Sequence, residues 1–492
     1  MSIATLILPE IILVSAALVL FLMGGFGRRG GGRLAPTVAL LALLAALVAQ
    51  VWVVPGTADI AGGALFDANH IVRITSLTGY IKVLTALVSV VLLMMAWPTN
   101  PDGSGSHSLH LGNDSGEFFG LALLSISGVF LAPSANDINV LFLALELVSI
   151  PTYVMVSISR PLAVSQEAGL KYFFLGAMAA AIMLLGFSYL YGTTGVVKLH
   201  GYWTTIGSGR VYTDGIADLL GPGLTTWQLL AVVVLVTGFA FKIAAVPLHF
   251  YAGDVYEGAA TPVTAFLAFM PKTAGFVALV QILVAVGGPD LVFPEVLAKF
   301  LWVIAVFTMT VGNVLALLQQ YVKRVLAYSS VAHSGYMLVG LAVVAGLAPE
   351  EIKRAGLQGL LFYLGAYGIM NAGAFAVLML LPTRHPYYAE GTGRSVANAT
   401  TAETYEDLAG QGRRHPALGL AMAISCFSLI GIPLTVGFIG KFMLIMPALR
   451  GGTSPLVWLA IITVINAAIS AAYYLRIIGA MFLRPDPTMA AE

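Results

Sequence analysis

Residues 241–276 read FKIAAVPLHFYAGDVYEGAATPVTAFLAFMPKTAGF. Lys242 and Lys272 each lie inside an apolar run long enough to cross a bilayer, and Pro247 interrupts the first of these runs. A charge at the bilayer centre costs roughly 2.5–3.5 kcal/mol on insertion scales. Proline removes a backbone donor and clashes with an earlier carbonyl, so it breaks or kinks the helix that holds it. The same combination recurs on both sides of this stretch. Glu146 sits in NVLFLALELVSIPTYVM (139–155), Lys171 in EAGLKYFFLGA (167–177) and Lys441 in GFIGKFM (437–443), the last following Pro433. Lysine responds readily to burial and can trade a proton near neutral pH. The residues therefore point to a membrane protein that moves protons or cations along buried ionisable groups.

The composition agrees with a membrane protein. Of 492 residues 59% are hydrophobic and 10% charged, where a soluble protein carries about 25% charged residues. Mean hydropathy is +0.92, and the apolar residues come in blocks. Runs of about 20 apolar residues mark membrane spans. They fall near 3–25, 34–54, 78–97, 117–133, 138–158, 166–191, 227–250, 259–286, 299–319, 323–346, 355–382, 416–449 and 456–480. The fold class expected is an all-α polytopic membrane protein of about 13–14 transmembrane helices, discontinuous near Pro247 and Pro433. The first run carries Glu10 and lacks a basic leader and a small-residue cleavage site, so it reads as a retained span. A formal net charge of +1 gives no bulk attraction to nucleic acid. Cys426 is the single cysteine, which excludes an internal disulfide. No Walker loop, CxxC or HExxH pattern occurs.

Loop charges set orientation. One side holds Arg28, Arg29, Arg33, Arg160, Lys323, Arg324, Arg384, Arg394, Arg413 and Arg414; the other holds Arg73, Lys198, Arg210, Lys353, Arg354 and Arg450. The richer side is expected in the cytoplasm, with the N-terminus outside. The longest polar stretches lie near 98–116, 192–226 and 383–415, and the last reads as a mobile loop. Ala245–Leu248 resembles Gly431–Leu434, Phe173–Ala177 resembles Phe362–Ala366, and Tyr153–Met155 resembles Tyr336–Leu338, in one order at nearly constant spacing. An odd number of spans separates the partners, which predicts two inverted five-helix repeats. The division expected is a three-helix segment over 1–116, a first repeat over 117–286, a second over 287–480 and a tail over 481–492.

Each charged residue has a plainer reading. Glu146 could be half of a structural ion pair, but its partner would then be a buried lysine. Lys242 and Lys272 are too deep to reach a surface comfortably, whereas Lys441, near Arg450, could snorkel. Lys171 lies close to the start of its run, where an interfacial lysine is ordinary. His333, in AYSSVAHSGYM (327–337), is more often a hydrogen-bonded structural histidine than a relay group. His249 reads as interfacial. Tyr256 and Glu257 would shape an entrance or cap the next helix.

The stretch 241–276 resembles the signature of the antiporter-like subunits of respiratory complex I, NADH:quinone oxidoreductase. NVLALLQQYVKRVLAYSSVAHSGYMLVGL (313–341) and GIPLTVGFIGKFML (431–444) extend the resemblance. EAGLKYFFLGA (167–177) and NDINVLFLALELVSIPTYVM (136–155) are most similar to the subunit N branch. The resemblance covers nearly the whole chain. It implies a proton-translocating membrane-arm subunit, a translocase component with no redox centre of its own, in a bacterial-type inner membrane. FMN, iron–sulfur clusters and quinone would belong to other subunits, and the partners would be other membrane-arm subunits, including antiporter-like paralogues. Glu146 matches the fifth-helix glutamate that pairs with the seventh-helix lysine, here Lys242. Lys272 matches the eighth-helix lysine, Lys441 the twelfth and Lys171 the sixth, and His333 falls on the same polar axis. The implied mechanism opens the Glu146–Lys242 pair and passes a proton to Lys272 and on toward Lys441. A subunit of a multi-subunit cation/proton antiporter or of a membrane-bound hydrogenase shares the pattern, and a non-pumping scaffold is a further alternative. The family's WTPDVYEGAP is replaced here by Tyr251–Ala252–Gly253 and, later, Ala260. The chain reaches Glu492 soon after the thirteenth run, where the family usually has a fourteenth helix.

Overall fold

The computed structural model describes residues 3–26, 33–53, 65–66, 70–98, 105–106, 109–111, 114–206, 209–220, 223–288, 291–381 and 403–485. Its long helices follow the apolar runs. They are α1 (Leu8–Phe26), α2 (Leu34–Val53), α3 (Ser76–Met95), α4 (Ser115–Leu131), α5 (Ile138–Ile158) and α6 (Ala163–Thr194). Next come α7 (Thr226–Lys242), the short α8 (Tyr251–Gly258), α9 (Thr261–Gly287), α10 (Glu295–Leu318), α11 (Val322–Ala345) and α12 (Glu350–Leu380). The last are α13 (Pro416–Ile430), α14 (Val436–Arg450) and α15 (Ser454–Leu483). Among the described residues, 11 helices are long and apolar enough to cross a membrane, and α7 and α13 are shorter apolar helices. With α7 and α13 counted as interrupted crossings, the thirteen expected spans are all present.

Local chemistry sets the helix ends. Asp137 accepts from Asn139 N at 2.8 Å and starts α5. Thr75 and Thr78 form a capping box at α3, and Thr225 and Gln228 form one at α7. The two interruptions share a backbone feature. α7 stops at Lys242 and α13 at Ile430, and each break holds a non-glycine residue in the left-handed region, Ala244 (φ 54°) and Leu434 (φ 76°). Such a conformation costs of order 1–3 kcal/mol and persists only where the surroundings hold it.

α9 and α11 form the inner layer, with nearly every residue buried. α11 packs closely on α10: a Cβ on Gly335 would meet Met309 N at 2.4 Å, and one on Gly312 would meet Ala332 N at 2.6 Å. Only small residues allow that approach. The outer helices show large apolar side chains outward, among them Leu18 and Leu22 on α1, Phe173 and Phe174 on α6 and Trp458 on α15. That is the surface a bilayer requires.

Both ends of the bundle are tied by polar rivets. At the Arg73 end, Asn136 Nδ2 donates to His70 O at 3.0 Å and to His200 O at 3.2 Å, and Asn136 Oδ1 accepts from His200 N at 3.1 Å. A hairpin of β1 (Tyr202–Ile206) and β2 (Gly209–Thr213) follows. Burial and then the Arg73 cation push the His200 imidazole down to about 4.

At the opposite end, the expected mobile loop over 383–415 needs correction in its second part. Residues 382–402, with Arg384 and Arg394, lie outside the described residues, as do Arg28 and Arg29. Residues 403–414, in contrast, form a packed clasp with short helices Tyr405–Leu408 and Gln411–Arg414. Glu403 supplies the reason. Its Oε1 accepts from Arg160 Nη2 at 2.7 Å and Lys323 Nζ at 3.1 Å, and its carbonyl accepts from Val322 N at 2.8 Å. Lys323 Nζ also donates to Ala259 O at 2.7 Å and Glu257 O at 3.1 Å. One carboxylate thus joins the chain after α5, the start of α11 and the α8–α9 junction.

Burial alone would raise the Glu403 carboxyl, but Lys323 and then Arg160 outweigh it and hold it at about 2. The carboxylate contributes stability throughout the range above the usual carboxylate pKa, and that contribution is lost only as pH falls through about 2. Glu403→Gln leaves two buried cations without their anion and should destabilise the protein by about 3–5 kcal/mol. Thermal unfolding in detergent should show an undiminished deficit from about pH 5 to 8. A deficit that disappears toward the acid end would contradict this assignment.

Candidate functional site

The two breaks deliver lysines to the protein interior. Lys242 is the last residue of α7, where a cation meets the negative end of the helix dipole. Its Nζ lies 2.9 Å from Glu146 Oε1 and 2.5 Å from Ser149 Oγ, both on α5. The backbone beyond it is held by side chains: Thr308 Oγ1 accepts from Val246 N at 3.1 Å, and Tyr251 Oη donates to Phe241 O at 3.0 Å. The break also frees the Ile243 carbonyl, which accepts from Ser334 Oγ at 2.6 Å.

Ser334 is the link to the next lysine. Lys272 Nζ on α9 lies 3.0 Å from Ser334 Oγ, 2.5 Å from Ser330 O and in contact with Ser330 Oγ. The Tyr367 ring of α12 stands 5.5 Å from the ammonium, within reach of a cation–π contact. Tyr367 accepts from Asn371 Nδ2 at 2.8 Å and its ring lies 5.2 Å from that of His333.

His333 stands between two phenols. Its Nδ1 is 2.6 Å from Tyr363 Oη and its Nε2 2.9 Å from Tyr474 Oη. Its ring meets the Tyr336 ring edge-on at 5.5 Å. The other face of this aromatic group receives Lys441, whose Nζ is 4.6 Å from the Tyr336 ring centroid. Lys441 also donates to Leu429 O at 3.0 Å and Ile430 O at 2.8 Å, the carbonyls left open where α13 ends. Tyr336 is fixed by Asn313 Nδ2 at 3.0 Å, and Asn313 Oδ1 accepts from Tyr473 Oη at 2.9 Å.

Five of the six expected residues therefore share one row: Lys242, Lys272, His333 and Lys441, all buried, and Glu146, partly buried at its edge. Among the described residues, no carboxylate pairs with Lys272 or Lys441. Carbonyl dipoles, hydroxyls and rings hold them instead. A buried ammonium without an anion is costly.

Lys171 stands apart from the row, at the surface near the start of α6, where its plainer reading as an interfacial lysine put it. Its side chain is 44% exposed and pairs with Glu167 at 2.8 Å and Asp254 at 2.9 Å. Arg324 joins Asp254 and, at 3.0 Å, Glu257, giving a surface cluster beside α8. His249 is buried within the α7–α8 break rather than interfacial, and Tyr256 is buried too.

The sequence reading missed the supporting groups. Ser330 and Ser334 stand one turn apart on α11, a spacing that places both hydroxyls on one helix face. The tyrosines carried no signal beyond ordinary aromatic packing. Also missed was an ion pair between Glu10 and Lys82, 2.7 Å apart and buried.

Comparison with known proteins agrees with the helical membrane fold. The family described as NADH:quinone oxidoreductase/Mrp antiporter, TM, matches residues 135–470. The NADH-quinone oxidoreductase subunit N of Trichlorobacter lovleyi is 41% identical over 373 residues, 75% of this chain and 68% of that protein. The subunit N of Rhodospirillum rubrum is 36% identical over 480 residues, 96% of this chain and 87% of that protein. Among solved structures, a chain of respiratory complex I from Thermus thermophilus with bound aureothin has a TM-score of 0.72 at 29% identity, covering 97% of this chain and 90% of that one.

Glu146 and Lys242 should be energetically coupled. Glu146→Gln or Lys242→Met strands one buried charge, while the two together remove both. The double variant should cost less than the sum of the singles, with an interaction energy of about 0.5–3 kcal/mol in detergent thermal unfolding. Strict additivity would show that the pair does not act as a unit.

Proposed function

Because the chain belongs to the NADH:quinone oxidoreductase/Mrp antiporter transmembrane family, among the subunit N proteins of NADH-quinone oxidoreductase, we propose that its buried row carries protons across the membrane arm of that complex. The observation that carries the reading is the continuity of the row. Three buried lysines on α7, α9 and α14 follow one another: Ser334 bridges Lys272 and the Ile243 carbonyl next to Lys242, and the aromatic group around His333 lies between Lys272 and Lys441.

The row works as follows. With the Glu146–Lys242 pair closed, the Lys242 proton is held by a charge-assisted bond worth about 1.5–3 kcal/mol. Opening the pair removes that hold, and the proton passes on toward Lys272. From Lys272 it moves past His333 to Lys441. Moving one charge across 100 mV costs about 2.3 kcal/mol, the same size as the interaction that switches. The energy comes from quinone reduction elsewhere in the complex. FMN, iron–sulfur clusters and quinone belong to other subunits, and this chain contributes no redox centre.

The end bearing Arg160, Lys323, Arg324, Arg413 and Arg414 faces the cytoplasm, so that the N-terminus lies outside. Lys171, with Asp254, Glu257 and Arg324, then marks the cytoplasmic mouth and collects protons there instead of relaying them. Residues 117–286 and 287–480 form the two inverted repeats, each giving one broken helix and its lysine to the row, and 1–116 form a separate three-helix segment. The presence of one broken helix in each half, beside Pro247 and Pro433, supports this division.

Lys272 provides the test. A relay must bind and release a proton, and arginine stays charged at physiological pH. Lys272→Arg should assemble and keep the positive charge, yet lower proton uptake by membrane vesicles about tenfold or more. Lys272→Met should do the same. Pumping near the wild-type rate in the arginine variant would reassign Lys272 as a structural cation.

A further inference from the structure

Glu10 and Lys82 form an ion pair that the buried row leaves unused. Lys82 Nζ lies 2.7 Å from Glu10 Oε1, with the side chains 0% and 7% exposed respectively. Glu10 is in the first turn of α1, and Lys82 is in the second turn of α3. Among the described residues neither group has another polar partner, and Thr85 Oγ1, nearly one turn further along α3, is buried without one.

This arrangement differs from a structural pin in the same protein. Lys323 meets a carboxylate and two backbone carbonyls. Lys82 meets one carboxylate oxygen. A buried pair gains against its desolvation cost only when further hydrogen bonds satisfy its remaining protons and lone pairs. The Glu10–Lys82 pair lacks those further bonds. Transfer of one proton from Lys82 Nζ to Glu10 Oε1 breaks an N–H bond and forms an O–H bond. It leaves an amine and a carboxylic acid. Net charge is zero before and after, so the step requires no counter-ion.

The pair also has a mechanical route to the row. α3 packs on α12: Tyr80 Oη donates to Leu361 O at 3.0 Å, and a Cβ on Gly365 would meet Leu84 Cδ1 at 3.1 Å. Lys82 lies between Tyr80 and Leu84 on α3. α12 also carries Tyr363, bonded to His333, and Tyr367, which faces Lys272. A change in the force joining α1 to α3 is therefore transmitted through a contact with little slack. We propose that the Glu10–Lys82 pair is a second proton-exchanging switch in this chain, working in series with the central row through the α3–α12 contact. The proposal rests on the relay reading of that row.

The deciding variant is the double Glu10→Gln/Lys82→Met, measured in the assembled complex in membrane vesicles beside Lys272→Met. Removing both members of a buried pair together is neutral or stabilising where the pair is only structural. A pin therefore predicts normal assembly and wild-type proton uptake in the double variant. The switch predicts normal assembly with uptake lowered about fivefold or more. If the double variant does not assemble, Lys82→Arg decides. Arginine keeps the ion pair but stays charged at physiological pH, so a pin keeps wild-type uptake and a switch loses it. Lost uptake in Lys272→Met with wild-type uptake in the deciding variant overturns this proposal alone. Wild-type uptake in Lys272→Met overturns the relay reading itself, and this proposal with it.

Discussion

The architecture depends on two places where a helix stops inside the membrane. A bilayer offers no hydrogen bonds, so open backbone at that depth must be satisfied by protein or by a water-lined cavity. At the end of α13 the open carbonyls of Leu429 and Ile430 are taken by Lys441. At the end of α7 the Ile243 carbonyl is taken by Ser334, which also contacts Lys272. The breaks and the lysines thus require each other. At the end of α13 Lys441 supplies donors that the backbone lacks, and the backbone supplies oxygen atoms that make a buried ammonium tolerable.

That mutual satisfaction differs along the row. Lys242 faces a carboxylate, and its interaction changes sharply when the two separate. Lys272 and Lys441 face dipoles and rings, whose attraction is weaker and falls off with distance and orientation. A row with one strong pair at its edge and weaker holds within can be switched at a single point. The buried α9 and α11 keep the intervening distances fixed, because closely packed interiors transmit displacement instead of absorbing it. The small residues between α10 and α11 serve the same end.

Much of this was legible in the sequence because the membrane makes charges and prolines conspicuous. Lys242, Lys272 and Glu146 stood out by depth alone, and Pro247 and Pro433 marked the breaks. Lys171 misled because a periodic apolar run does not reveal which face of α6 looks inward. Lys171 lies on an outward face, with Asp254 as its partner. Glu403 was hidden for the opposite reason: it lies in a polar stretch, and only the fold brings Arg160 and Lys323 to it across more than two hundred and about eighty residues respectively. Glu10 and Lys82 escaped notice because each lies near the start of its run, where a charged residue is ordinary. The tyrosines around His333 could not be told from aromatic packing, since their role lies in what their hydroxyls touch.

How completely a buried cation is satisfied separates the classes of site in this protein. Lys323 is surrounded by a carboxylate and two carbonyls, and Arg160 shares that carboxylate. Any proton leaving Lys323 would sacrifice several bonds at once, which suits a clasp. Lys242 is held by one carboxylate and one hydroxyl. Serine hydroxyls, present beside Lys242 and Lys272, can either accept or donate. Backbone carbonyls can only accept, and they dominate at Lys441. The row therefore passes from a carboxylate through reversible hydroxyls to fixed carbonyls.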